Sequence, residues 1–175
     1  MRAAEAVLTP AAYAWFCSLP RDLQWHGLQV MHDLQHAGID RSDMLAAALL
    51  HDAGKGEGSS GPLVRAFIVL AVYIVPDWSA RRKEIDYREA QGIDRVLAIA
   101  YQHPQIAAER ARQCGCDPVT IDLIRNHQDT DRGKMDPLLH LFQQVDDQYY
   151  CPTSTSSNVP TARCIPAGRS TWSSA

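Results

Sequence analysis

A histidine and an aspartate stand side by side in the sequence, at positions that favour an inward-facing metal site. Imidazole and carboxylate groups are ligands of divalent cations, and a catalytic site needs several of them to converge while leaving room for water and substrate. The pair His51 and Asp52 ends the apolar run LAAALL, and Lys55 follows closely. At about 100° per residue, His51 and Lys55 share a helix face with Met44 and Ala48, and Asp52 stands one step round. We expect these groups to meet in one cavity.

Three more histidines fall on one predicted helix, but they face different ways. His26 shares a face with Leu23 and Val30, and we therefore expect it to point into the core. His32 and His36 are assigned to the other side of that helix, where a solvated position is expected. Their spacing of four residues could also clamp a metal ion, and the sequence leaves that alternative open.

Two later histidines are further candidates. His103 directly precedes Pro104, and such a pair favours the start of a helix, where backbone amides attract anions such as phosphate. His127 closes a predicted helix that starts at Pro118, and it lies on the side of Leu123, facing inward. Taken singly, each histidine also fits a structural role in which its ring is hydrogen-bonded.

The last predicted helix carries two adjacent aspartates, and the helical period separates them. Asp146 aligns with Leu139 and Phe142, whereas Asp147 aligns with Gln143. A buried carboxylate must be paired or bound to a metal ion. We therefore expect Asp146 to be a ligand, and Asp147 to be solvated or to support a ligand.

Helices must position all of these residues, because no stretch of the chain shows the alternation of a strand. Capping residues and glycines predict one helix over 23–37 and another over 44–53. Three later helices are predicted to begin at X-Pro pairs. These pairs are His103-Pro104, Asp117-Pro118 and Asp136-Pro137.

Length and composition predict one domain. A chain of 175 residues with 46% hydrophobic content suffices for a single core, which we place in residues 1–150. Residues 151–175 are rich in serine, threonine and proline, and we expect this tail to be disordered. The apolar segment 63–78 is interrupted by charge and proline, and its apolar run is about half the length that a bilayer requires, so no membrane insertion is expected.

Charge and cysteine usage narrow the class of partner and the compartment. A formal charge of −3 gives no general attraction to nucleic acids, so a small substrate is expected. Glu5 and Pro10 interrupt the apolar stretch that a signal peptide would need. The five scattered cysteines match neither a zinc ribbon nor a disulfide scaffold. We therefore expect a cytoplasmic protein, and the sequence leaves homo-oligomerisation open.

The order of these residues resembles that of a known family. His26, then the pair His51 and Asp52 in LLHDAGK, then Asp146 in QQVDDQY resemble the HD superfamily of metal-dependent phosphohydrolases, over roughly residues 23–150. The resemblance implies an all-α bundle of about six or seven helices. It also implies that these four residues are metal ligands.

Two further stretches resemble the HD-GYP-like, binuclear branch of that superfamily. HPQIAAERARQCG, which starts at His103, is similar to an HPEIGAE segment of those proteins, and LIRNHQD contains the equivalent of another histidine, His127. The GYP signature is missing, and Asn126 stands where a double histidine would have its first member. Activity on cyclic di-GMP is therefore not expected.

The resemblance implies two divalent cations, drawn from Fe, Mn, Co, Mg and Zn, with Asp52 bridging them and His103 and His127 completing the second position. A metal-activated water would then hydrolyse a small phosphorylated substrate. Lys55 could neutralise charge on the phosphoryl oxygens, or it could be a solvated lysine that offsets the helix dipole. Two alternative functions are a di-iron oxygenase on the same scaffold and a non-catalytic signalling or ligand-binding module.

Overall fold

Helices make up the regular structure of the chain in a computed structural model that describes residues 2–58 and 84–147. Those residues form eight α-helices and one 3-10 helix and contain no strand, which confirms the all-α prediction. Six of the α-helices have at least seven residues, in line with the predicted bundle. The α-helices are α1 (Arg2–Val7), α2 (Pro10–Ser18), α3 (Arg21–His36), α4 (Ser42–Leu50), α5 (Gly92–Gln113), α6 (Pro118–Asn126), α7 (Thr130–Met135) and α8 (Pro137–Asp146).

Several sequence predictions lie outside the described residues. These are the disordered tail at 151–175 and the apolar segment at 63–78. Among the helices that are described, none combines the length and the apolar character needed to cross a membrane.

Helix α4 is the centre of the bundle. Its sequence is apolar on every side, and all residues from Met44 to Leu50 are buried. A helix that is hydrophobic all round needs neighbours on all faces, and α4 packs against α1, α3 and α6. The pair His51 and Asp52 directly follows this helix, so it is carried into the middle of the fold.

Proline predicted two of three helix starts correctly. Helices α6 and α8 begin at Pro118 and Pro137, and the side chains of Asp117 and Asp136 accept hydrogen bonds from their first backbone amides. The third prediction is wrong, because His103 lies inside the 22-residue helix α5 and not at a helix start.

The reason lies in a hydrogen bond made by the histidine itself. Pro104 has no N–H, so it cannot donate to the carbonyl of Ala100, the usual partner four residues earlier. The Nδ1 of His103 lies 2.8 Å from that same oxygen and takes the place of the missing donor. Helix α5 therefore continues through the proline, and the expected phosphate site at a helix start is not formed.

The helix predicted over 44–53 also ends earlier than expected. Helix α4 stops at Leu50, and after two turn residues the chain tightens into a 3-10 helix, Ala53–Glu57. The 3-10 helix packs closely against α5, and Gly54 allows this because a Cβ there would lie 2.9 Å from both Cα and C of His103. The 3-10 helix thus brings Asp52 close to His103.

Candidate metal centre

Three side chains meet beside the end of α4, and we call them the outer triad: His26 of α3, His51, which directly follows α4, and Asp146 of α8. The Nε2 atoms of His26 and His51 are 3.2 Å apart. The Oδ1 of Asp146 lies 3.2 Å from Nε2 of His26 and 3.3 Å from Nε2 of His51. Helix α3 packs against both α4 and α8, which brings these three atoms together.

A second group, the inner triad, consists of Asp52, His103 and His127. The Oδ1 of Asp52 lies 3.3 Å from Nε2 of His103 and 3.7 Å from Nε2 of His127. All three residues are buried, and within each triad the ligand atoms lie within 4.8 Å of one another. Each triad could therefore hold one metal ion.

Asp52 stands between the two triads. While its Oδ1 faces the inner histidines, its Oδ2 lies 3.6 Å from Nε2 of His26 and 3.8 Å from Nε2 of His51. The Nζ of Lys55 is 2.6 Å from the same Oδ2. One carboxylate thus faces both groups of histidines.

The spacing of the outer triad agrees with a shared cation. Ligand atoms at about 2.1 Å from one ion are about 3.0 Å apart at right angles and about 3.4 Å apart in a tetrahedron. The three separations in the outer triad are 3.2, 3.2 and 3.3 Å. The donor atoms are therefore already at the separation that a bound ion requires.

Backbone hydrogen bonds orient three of the histidines. The Nδ1 of His51 lies 3.0 Å from the carbonyl of the residue three positions earlier, and the equivalent distances are 2.8 Å for His103 and 2.7 Å for His127. A neutral ring that donates from Nδ1 presents an unprotonated Nε2, which is the form that binds metals. All three Nε2 atoms point into the centre.

Three buried atoms lack a hydrogen-bond partner among the described residues: Nε2 of His103, Nε2 of His127 and Oδ1 of Asp146. Buried polar atoms are normally satisfied, since each one left unpaired costs about 1–3 kcal/mol. Two of these atoms belong to the inner triad and one to the outer triad. A cation in each triad would satisfy all of them.

Burial and neighbouring charges set the protonation states of the carboxylates. Burial acts to raise the pKa of Asp52, but His51 and Lys55 outweigh it and hold that pKa well below the usual value. Burial likewise opposes ionisation of Asp146, whereas the imidazole groups of His26 and His51 beside it lower its pKa strongly. Both carboxylates are therefore ionised, as metal ligands must be.

The pKa values of His51 and His103 are shifted in opposite directions. Burial lowers the pKa of His103, which keeps this ring neutral and able to bind a cation. Burial also acts to lower the pKa of His51, but the charges of Asp52 and Asp146 raise it above the usual value. The two carboxylates thus favour a positive charge at His51, and a divalent cation would supply that charge in place of the proton.

The described residues of the centre differ in their exposure to solvent. The side chains of His26 and Asp146 are each 17% exposed and that of Lys55 is 26% exposed, whereas His103 and His127 are almost fully buried. Among the described residues, the more exposed side of the centre is therefore formed by His26, Asp146 and Lys55, and the inner histidines lie beneath it.

The structure brings all six predicted ligands together and places Lys55 against one of them. His32 and His36 belong to neither triad, and their rings lie 4.1 Å apart on the outer side of α3. Asp147 is exposed, and partial burial together with the adjacent Asp146 raises its pKa.

Sequence reasoning missed two glycines that position the ligands. A Cβ on Gly27 would lie 2.9 Å from the carbonyl oxygen of Leu49, so its absence allows α3 to approach α4 beside His26. Gly54, which was interpreted only as a helix end, allows the 3-10 helix to approach His103. A glycine within a helical pattern was the available signal for the first of these.

Comparison with known proteins agrees with this arrangement. The family described as the HD domain matches residues 25–150, a range that contains all six residues of the two triads. No curated protein and no solved structure matches the chain significantly.

Proposed function

The chain belongs to the HD-domain family, and we propose that it is a binuclear, metal-dependent phosphohydrolase that acts on a small phosphorylated substrate. The observation that carries this proposal is the pair of adjacent His/Asp triads with one carboxylate, Asp52, facing both. The three unsatisfied buried atoms, which are distributed over both triads, support it independently.

The donor set assigns the ligands. His26, His51 and Asp146 would hold one cation, His103 and His127 would hold the other, and Asp52 would serve as a ligand at both positions. Two bound divalent cations would polarise phosphate oxygens and acidify a water molecule to near neutrality. Imidazole with carboxylate suits Fe, Mn, Co and Zn, and a site with fewer histidines would suit Mg better.

The protein's own groups prepare this chemistry. Lys55 lies against Oδ2 of Asp52 at the exposed edge, where its ammonium group orients that carboxylate and can contact an oxygen of the bound phosphoryl group. The buried floor of His51, His103 and His127 excludes bulk water from below. The substrate phosphate therefore enters over His26 and Asp146, and the rest of the substrate remains toward solvent.

The finer assignment, to the HD-GYP-like branch, rests on the sequence around His103 and His127. Because the GYP signature is missing, we expect hydrolysis of nucleotides or other small phosphoesters and no turnover of cyclic di-GMP. Assay of both substrate types separates these possibilities.

The test is metal analysis of the purified full chain combined with a phosphoester panel in Mn, Fe, Co, Mg and Zn. We expect two ions per chain and metal-dependent release of phosphate. His26→Ala should reduce both strongly. His32→Ala, an exposed histidine on the same helix, is the matched control and should change neither. A chain that hydrolyses no phosphoester with any of these metals would contradict the proposal.

A di-iron oxygenase is the competing function, because four histidines and two aspartates also suit iron. Anaerobic purification followed by measurement of oxygen uptake distinguishes it. Stoichiometric iron with substrate-dependent oxygen consumption and no phosphate release would favour the oxygenase over the hydrolase.

A further inference from the structure

The side chain of Gln143 in α8 contacts the backbone directly after α6. Its Nε2 lies 3.0 Å from the carbonyl oxygen of Asp129 and 3.1 Å from that of His127, with the carbonyl of Asn126 at 3.4 Å. The last carbonyls of a helix have no partner within the helix. Gln143 supplies a donor to this turn from another helix.

The environment of the amide determines which way it faces. Three carbonyl oxygens surround one end, so only the NH2 group can be placed there, because an amide oxygen would be repelled. The Oε1 end lies against the backbone of Gly133 in α7, where any Cβ would collide with it. The amide is therefore held between the turn and α7, and Gly133 leaves the space for it.

The contact between the Gln143 amide and the turn links the helix that carries Asp146 to the backbone of His127. His127 belongs to the inner triad, and its ring is oriented by the bond from Nδ1 to the carbonyl of Ile124. Its own carbonyl is held by Gln143, which is one helical turn from Asp146 of the outer triad. Displacement of the turn would therefore shift the backbone of His127, which is a member of the inner triad and not of the outer one.

We infer that Gln143 is a positioning residue for the inner metal position, acting through His127. The inference rests on the proposed binding of two cations. Partners that orient a metal ligand typically contribute ten- to hundred-fold to affinity. We expect a loss of that order for one ion when the amide is changed.

The experiment is a titration of the metal-free full chain with Co²⁺, followed by its visible absorption and by equilibrium dialysis. Gln143→Glu keeps the shape of the side chain but turns a carboxylate toward the carbonyls of His127 and Asp129. Gln144→Glu makes the same change one residue later, at an exposed position, and is the matched control. Gln143→Glu should bind one Co²⁺ ion as tightly as the wild type does, and it should bind the other Co²⁺ ion about ten- to hundred-fold more weakly. Gln144→Glu should bind both ions as the wild type does.

Gly133→Ala tests the same contact from the other side. Alanine is the better helix former, so a selective loss of the second ion in this variant would come from displacement of the amide and not from a weaker α7. We expect it to reproduce the binding curve of Gln143→Glu.

Each outcome has one interpretation. Two ions bound with wild-type affinity by Gln143→Glu would overturn the inference, and so would parallel loss of both ions, which would make Gln143 a general stabilising residue. A wild-type chain that binds fewer than two Co²⁺ ions would contradict the proposed function before any variant is compared. Selective loss in Gln143→Glu, with the Gln144→Glu control unchanged, supports the inference.

Discussion

Replacing Gly54 by alanine tests whether close approach of two backbones builds the inner triad. The new Cβ would start 2.9 Å from Cα and C of His103, with the carbonyl oxygen closer still. Carbon atoms in contact prefer about 3.5–4.0 Å, so the 3-10 helix and α5 must separate by at least about 0.6–1.1 Å. Overpacking of this kind costs about 1–3 kcal/mol.

The same displacement can be compared with what a metal ion tolerates. Two ligands at about 2.1 Å from one ion can be at most about 4.2 Å apart. The Oδ1 of Asp52 and Nε2 of His103 are 3.3 Å apart. If their separation grew by the full displacement, it would reach about 3.9–4.4 Å, which is at or beyond that limit. Gly54→Ala should therefore lose the inner ion, keep the outer one and lose most activity.

Metal stoichiometry, turnover and the melting temperature together check this reasoning. For a chain of this size, each kcal/mol lowers Tm by about 2–4 °C. Gly56→Ala is the matched control, since the atoms nearest to a Cβ there belong to side chains and not to backbone, and the closest of them is in Leu19, at 3.3 Å. If Gly54→Ala kept two ions, wild-type turnover and an unchanged Tm, the backbone contact would not be what positions His103.

Three further predictions concern the centre and the tail. His51→Ala and Asp52→Ala should each lose bound metal and phosphoester hydrolysis, as measured by elemental analysis and turnover. The reason is that His51 belongs to the outer triad and Asp52 to the inner triad. In the same assays Asp146→Asn should lose metal and most activity, whereas Asp147→Asn should lose at most the roughly ten- to hundred-fold typical of supporting partners; the reverse ranking would refute the assignment. Truncation after Tyr150 should leave Tm and turnover unchanged, since the removed segment is too polar for a packed face; a large fall in either would show that the tail docks.

The choice between the two aspartates illustrates what a local pattern can predict. Asp146 and Asp147 have the same chemistry, and only their positions relative to Leu139 and Phe142 distinguish them. The structure places Asp146 in the outer triad and leaves Asp147 exposed. The helical period was sufficient here because Asp146 ends a regular helix and Asp147, its C-cap, keeps a helical backbone conformation, so direction follows from spacing.

The error at His103 shows where such a pattern fails. An X-Pro pair usually favours a helix start, but proline is tolerated inside a helix when another donor takes the carbonyl that it leaves unpaired. The imidazole of His103 supplies that donor. Whether a side chain reaches a given carbonyl depends on its rotamer, and the residue types do not specify this.

By itself the sequence determined the all-helical class, the family and the residue types able to bind metal, because helical periodicity and ligand chemistry are properties of local sequence. Only the tertiary structure decided that His26 and His51 share one triad with Asp146 while Asp52 faces a second group of histidines. The reason is that these groupings depend on how closely α3 approaches α4 and how closely the 3-10 helix approaches α5. That approach is set by glycines whose lack of a Cβ matters only once the opposing backbone is in place.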